Sequence, residues 1–316
     1  MSASSPIIGL HHVTATADGA QQDLDFYRGI LGLRLVKKTV NFDNHNVFHF
    51  YYGNELGRPG TIWTTFPYRG WGVPVGSKGA GQIRATSFSV PAGGLEFWRR
   101  RLTKHRVAFR DLPPRFGDES IECDDPSGLV IELVANDRDT RKPWIDPTSD
   151  IDSAAAIRGL FSVTMIHRRP DPTVEIMTRL LDFTVVQQSA DRIRLGVGGD
   201  HPGRTMEISI DPSAPTGRNG LGTVHHVAMA IAEASQQLEL RSELMHAGLH
   251  VTEVRDRQYF QSIYFREPGG VLFEVATLNP GFATDETPIE LGQALKLPPW
   301  EEPYRKEIEA GLPAIK

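Results

Sequence analysis

One order of segments, written first between residues 10 and 66, recurs three more times before residue 280. That repetition constrains the fold more than any single motif in the chain. The first unit opens with an alternating strand, Leu10 to Ala17. Asp18 is followed three residues later by Gln21, a capping-box spacing that predicts a helix start. Ala20, Leu24, Tyr27 and Leu31 share one helical face, and Gly32 stands where a C-terminal cap belongs. Three strand-like runs complete the unit: LRLVKKTV (33–40), NVFHFYY (46–52) and TIWTTF (61–66). The unit is therefore β-α-β-β-β.

Unit two reads IRATSFSV (83–90), a helix around LEFWRRRL, then SIECD and GLVIELVA. Unit three reads GLFSVTMI (159–166), a helix near Thr173 to Leu181, then FTVVQQ, DRIRLGV and RTMEISI. Unit four reads VHHVAMAI (224–231), a helix through Leu238 to Met245 closed by Gly248, then HVTEV, SIYF and VLFEVA. The turn before the last strand is written twice in similar letters, DDPSGLVIELV and REPGGVLFEVA. The Pro- and Asp-rich stretch RKPWIDPTSD divides the chain, giving an expected first half over 1–145, a second over 146–281 and a surface tail over 282–316. One short helix is expected in that tail, from Glu301 to Ala310.

Composition narrows the function classes. The 316 residues are 40% hydrophobic and 23% charged, with a net charge of -5, which provides no basic footprint for nucleic acid or an anionic membrane. The single cysteine, Cys123, leaves no intramolecular disulfide or cysteine metal cluster, as expected of a reducing, cytoplasmic compartment. The N-terminal MSASSPIIGL has no basic region ahead of its short apolar run, so no signal peptide is expected. No apolar run approaches membrane-spanning length.

Tandem βαβββ units with a histidine on a first strand and a glutamate on a last strand resemble the vicinal-oxygen-chelate superfamily. That group includes glyoxalase I, fosfomycin-resistance proteins and extradiol ring-cleaving dioxygenases. The resemblance covers residues 8–278, and the HHVT and LPPW stretches are similar to those of hydroquinone-type ring-cleaving dioxygenases. It implies an α+β fold in which pairs of units curl into two partly open, eight-stranded barrels.

Aligning the repeats on one another locates candidate ligands. His12 matches Ala85, Ser162 and His226, while the last-strand position reads Thr64, Glu132, Glu207 and Glu274. Units one and four therefore offer His12, His226 and Glu274, and units two and three offer no imidazole. Two imidazoles and a carboxylate form the facial triad of non-haem Fe(II) enzymes, and Mn(II) suits the same donors. Thr64 is a poor fourth ligand, unlike the extra carboxylate or amide of glyoxalase-type sites. The pairing of unit one with unit four predicts interleaved halves; a dimer that assembles the site from two chains is the competing explanation. Glu132 and Glu207 read as relics of repetition, bonded to arginine or backbone.

By resemblance, further site positions map onto His11, Thr14, His225, Arg257 and Tyr264. Simple alternation places His11 and His225 on the face opposite the ligands, where they would orient neighbours rather than touch substrate. His49 could reach the pocket without being required there, and His45, His105, His167, His201, His246 and His250 read as loop or surface residues. The resemblance implies a small aromatic diol and dioxygen as partners, a homodimer being compatible with exposed strand edges. Two other readings stay open at this point: a glyoxalase-like isomerase or thiol transferase, and a non-enzymatic protein that binds an aromatic compound.

Overall fold

The computed structural model describes residues 7–316; most of the N-terminal stretch read for a signal peptide lies outside the described residues. Unit one comprises β1 (Ile7–Ala17), α1 (Ala20–Leu24), β2 (Arg34–Asn41), β3 (Asn44–Gly53) and β4 (Ile62–Pro67). Unit two comprises β5 (Gln82–Val90), α2 (Leu95–Lys104), β6 (Phe109–Arg115), β7 (Asp118–Asp124) and β8 (Val130–Ala135). Unit three has β9 (Gly159–His167), α3 (Asp171–Arg179), β10 (Thr184–Gln188), β11 (Arg192–Gly196) and β12 (Thr205–Ile210). Unit four has β13 (Thr223–Ile231), α4 (Ala234–His246), β14 (Arg255–Asp256), β15 (Gln261–Arg266) and β16 (Leu272–Thr277), and the tail carries α5 (Arg305–Gly311).

Two eight-stranded sheets result, ordered β14-β15-β16-β13-β1-β4-β3-β2 and β10-β11-β12-β9-β5-β8-β7-β6. Units one and four thus share one sheet within a single chain, and units two and three share the other. Each sheet is joined at its centre by an antiparallel pair of first strands, β1 with β13 and β5 with β9. One apolar core runs between helices and sheets, with Val13 and Trp63 of the first sheet and Phe88 and Val163 of the second.

The turn that is written twice has one chemistry. Asp125 Oδ1 accepts the backbone N–H groups of Ser127 and Leu129, and the Glu267 carboxylate accepts those of Gly269 and Val271. Each carboxylate also takes a hydroxyl from the preceding unit. Tyr27 donates to Asp125 at 2.9 Å, and Thr173 donates to Glu267 at 2.5 Å. These turns therefore tie unit two to unit one, and unit four to unit three.

Several local expectations are corrected. The first helix is capped at Gly19 rather than Asp18, whose carboxylate is drawn away to Arg69, although Ala20, Leu24, Tyr27 and Leu31 are buried as their spacing implies. After α1 the helix widens to a π-type turn over Asp25–Ile30 before Gly32, at φ +71°, ends it. Strand β6 is absent from the reading of unit two because Pro113 and Pro114 interrupt its pattern. A strand at a sheet edge tolerates prolines, which cannot donate to a ladder. HVTEV forms only an isolated bridge at Val251, and regular pairing starts at Arg255. Among the described residues no helix is long and apolar enough to cross a membrane.

Candidate metal centre

The strand register explains how four repeats produce one cluster. In every unit, the residue two places after the aligned first-strand position pairs with the aligned last-strand position. These pairs are Thr14 with Thr64, Ser87 with Glu132, Thr164 with Glu207, and Ala228 with Glu274. The β1–β13 ladder then sets Thr14 opposite His226 and His12 opposite Ala228. His12 and His226 consequently approach from two strands, and Glu274 reaches both from β16.

The three side chains are buried, and their donor atoms all lie within 4.8 Å of one another. The Nε2 atoms of His12 and His226 are 3.2 Å apart; Glu274 Oε2 is 3.3 Å from the first and 2.8 Å from the second. Ser262 donates to the other carboxylate oxygen at 2.5 Å, which turns Oε2 toward the imidazoles. Burial works against ionisation of Glu274, but the two imidazoles hold its carboxyl well below the usual range. A buried carboxylate oxygen and two imidazole nitrogens drawn within 3.3 Å of one another fit a divalent cation.

His11 and His225 are not where alternation puts them. Each is the extra residue of a β-bulge in the β1–β13 ladder, between the pairs Leu10–Met229 and His12–Ala228 for His11, and between Thr14–His226 and Ala15–Val224 for His225. The central ladder of the second sheet has irregularities at the equivalent places, Arg84 and Phe161. A bulge breaks the two-residue period and re-aims its side chain. The Nδ1 of His11 therefore meets the Nδ1 of His12 at 2.9 Å, and the Nδ1 of His225 meets that of His226 at 2.7 Å. With Nδ1 engaged in this way, Nε2 is the nitrogen each ligand candidate has free for a metal. Burial, followed by the His12 imidazole, pushes His11 down to about 3, so its ring is neutral near pH 7. His225, enclosed less completely and still exposed on one side, is lowered by burial and then by the His226 imidazole.

The cluster forms one wall of a cavity of about 490 Å³. Phe42, Tyr51, Phe66 and Phe260 give it aromatic sides, and Asn41 and Arg255 stand among its polar lining. Tyr264 pairs with Glu274 across β15 and β16, and its ring lies 5.8 Å from that of His226. Arg257 Nε donates to the Tyr264 hydroxyl at 3.0 Å, and its Nη2 donates to Asp43 at 3.2 Å. Burial, and then the Glu274 charge, raise Tyr264 well above the usual phenol range, keeping the hydroxyl protonated. Thr14 lines the cavity beside His226.

His49, which sequence reasoning left optional, is a buried wall residue of the same cavity. Its place two residues before Tyr51, on the strand beside TIWTTF, was the available signal. His167 is not a surface residue: it is buried at the end of β9, 3.8 Å from Glu267. In the second sheet, arginines occupy the glutamates. Glu132 accepts from Arg115 and Ser87, and Glu207 accepts from Arg194 and Arg192.

The model of the Glyoxalase/Bleomycin resistance protein/Dioxygenase superfamily matches residues 9–133 and 159–275. The chain belongs to that superfamily. Among its members, the "Putative ring-cleaving dioxygenase MhqO" of Bacillus subtilis is 41% identical over 307 residues, covering 96% of each chain. The chlorohydroquinone/hydroquinone 1,2-dioxygenase of Sphingobium indicum is 36% identical over 308 residues, covering 95% of this chain and 94% of its own. A crystal structure titled as that of a "putative dioxygenase" from Bacillus subtilis superposes with a TM-score of 0.93 at 40% identity, over 99% of each chain. The architecture is also that of maize glyoxalase I, with a TM-score of 0.63 at 12% identity over 85% of this chain and 92% of that one. This likeness concerns fold alone.

Proposed function

We propose that this protein is an Fe(II)-dependent, extradiol-type dioxygenase that opens the ring of hydroquinones. The observation that carries the reading is the convergence of His12, His226 and Glu274 at an aromatic-walled cavity, in a chain whose relatives are named as ring-cleaving dioxygenases. Three protein donors leave coordination positions for both a phenolate and dioxygen, and iron held there would supply electron transfer between them. One carboxylate against a divalent ion leaves net positive charge, which favours a deprotonated hydroxyl.

The chain's own residues do the rest. Phe42, Phe66 and Phe260 seat the ring and keep water from its faces. Tyr264, held protonated, donates to the deprotonated oxygen, and Arg257 behind it supplies fixed positive charge for the negative charge that develops. His225 lines the cavity and, with its Nδ1 accepting from the Nδ1–H of His226, presents its Nε2–H there as a donor; His11 acts through His12. Cleavage between the hydroxyl-bearing carbon and its hydrogen-bearing neighbour, with both atoms of dioxygen retained, gives one carboxyl and one aldehyde group, a hydroxymuconic semialdehyde from hydroquinone itself.

The test is dioxygen uptake by protein loaded anaerobically with Fe(II), with Mn(II) in parallel, using hydroquinone, methylhydroquinone and catechol. Uptake matched mole for mole by loss of hydroquinone supports the proposal. Uptake with catechol alone overturns the para-diol assignment. Turnover of another substrate with a redox-inert metal and no uptake would replace the proposal with an isomerase or transferase.

A further inference from the structure

Thr64 occupies the position that holds glutamate in the other three units, yet it is not idle. Its hydroxyl donates to Thr14 Oγ1 at 2.8 Å and lies 3.0 Å from His49 Nε2. All three side chains are buried, and Thr14 and His49 both line the cavity. The donation from Thr64 to Thr14 assigns the rest of the chain. Thr64 spends its one hydroxyl hydrogen on Thr14, so its oxygen accepts from His49 Nε2–H. Thr14 then accepts from Thr64, and its own hydrogen is left for the cavity, beside His226.

We infer that His49 and Thr64 are positioning residues that fix the Thr14 hydroxyl as a hydrogen-bond donor to the anionic oxygen of a bound phenolate. The inference rests on the proposed reading of the site as one that takes a deprotonated aromatic diol. Thr64 thus replaces a fourth metal ligand with a group that aims its neighbour. Aligned donors in a buried chain polarise one another, so Thr14 is a better donor with the chain intact. His49 packs against Tyr51 and Phe66, with ring centroids 3.9 and 4.2 Å away, which restricts the motion of the imidazole.

The test separates binding from turnover. Wild type, Thr64→Val, Thr64→Ser and His49→Ala are loaded with Fe(II), checked for metal content, and titrated with hydroquinone under argon. Thr64→Val keeps the shape and removes the donor. It is expected to bind metal normally while losing about tenfold in hydroquinone affinity, the scale of one hydrogen bond to a charged group. Thr64→Ser should recover wild-type affinity within about twofold, and His49→Ala should fall on the same side as Thr64→Val. Wild-type affinity in Thr64→Val, or loss in Thr64→Ser equal to that in Thr64→Val, overturns the relay. Because the titration is anaerobic, a wild type that binds hydroquinone but takes up no dioxygen would overturn the dioxygenase reading and leave the relay measurable. A wild type that does not bind hydroquinone would overturn both.

Discussion

His12 and His226 are 214 positions apart in sequence, and their Nε2 atoms stand 3.2 Å from each other across the β1–β13 ladder. No local feature of either strand accounts for that approach. It follows from pairing the first unit with the fourth in antiparallel register, and Glu274 then falls beside both rings because Ala228 pairs with it.

Removing one donor should therefore abolish metal retention without unfolding the sheet. His12→Ala is expected to lower affinity for Fe(II) at least about 100-fold, or ~2.7 kcal/mol, and to eliminate dioxygen uptake. Equilibrium dialysis against Fe(II) reads the first effect directly. Stoichiometric metal with full activity in His12→Ala would sink the assignment of the centre.

Tyr264 tests the chemistry rather than the ligand set. Tyr264→Phe leaves the aromatic wall in place and removes the hydroxyl that accepts from Arg257. Metal content should be unchanged, while kcat falls by about 10²-fold or more, the usual range for loss of a positioned proton donor. Steady-state dioxygen uptake against hydroquinone concentration provides both parameters. A change confined to a rise in KM would assign Tyr264 to binding alone.

Much of this centre was legible in the chain because the repeat supplied its own alignment. In the aligned repeats His12, His226 and Glu274 stand out against Ala85, Ser162 and Thr64, and the register of all four units reproduces that alignment. What alternation could not provide was the side on which His11 and His225 lie. A bulge inserts one residue without a compositional mark, and only the pairing of the neighbouring strand reveals it. Strand β6 was hidden by Pro113 and Pro114, and His49 by the fact that its partner on the neighbouring strand, Thr64, is chemically unremarkable. The first helix was recognised from its apolar spacing and misplaced at its start, where Arg69 competes for the expected cap.

A second group of buried acids predicts how stability responds to pH. Asp23 is buried, with Tyr52 and Thr65 donating to its Oδ2 at 2.6 and 2.7 Å while Oδ1 has no partner. Burial is the main cause of a carboxyl pushed up to about 7, with Asp125 adding to it; the two hydroxyl donors act the other way. An acid raised in the folded state keeps its proton there while the unfolded chain has lost it. Stability therefore falls as pH rises from the ordinary carboxyl range toward 7, with a limiting slope of about 1.4 kcal/mol per pH unit. Asp23→Asn cannot ionise, and its carbonyl can still accept from both hydroxyls. Urea midpoints at pH 5 and pH 8 should fall less between the two in Asp23→Asn than in wild type. Equal changes would remove Asp23 as the cause.

The tail supplies the last prediction, because it is fastened by a buried cation. Lys37 has no exposed side-chain surface, and its Nζ contacts Asp285 at 2.5 Å and also Glu286. Asp285 in turn accepts from the Tyr259 hydroxyl at 3.0 Å. The next residue, Phe260, packs against the rings of His11 and His12, so the fastening backs onto the candidate centre. Lys37→Met removes the cation and strands the carboxylate of Glu286, which is almost fully buried. The expected cost is about 3–5 kcal/mol, because a buried charge left alone is worse than a pair never made. Adding Glu286→Gln to Lys37→Met removes the stranded charge and should restore part of that loss. Thermal denaturation of the wild type, Lys37→Met and the double variant orders the three. If the double variant is less stable than Lys37→Met alone, the stranded carboxylate is not the source of the cost, and Lys37 contributes through packing over the Tyr259 ring, 4.9 Å from its Nζ.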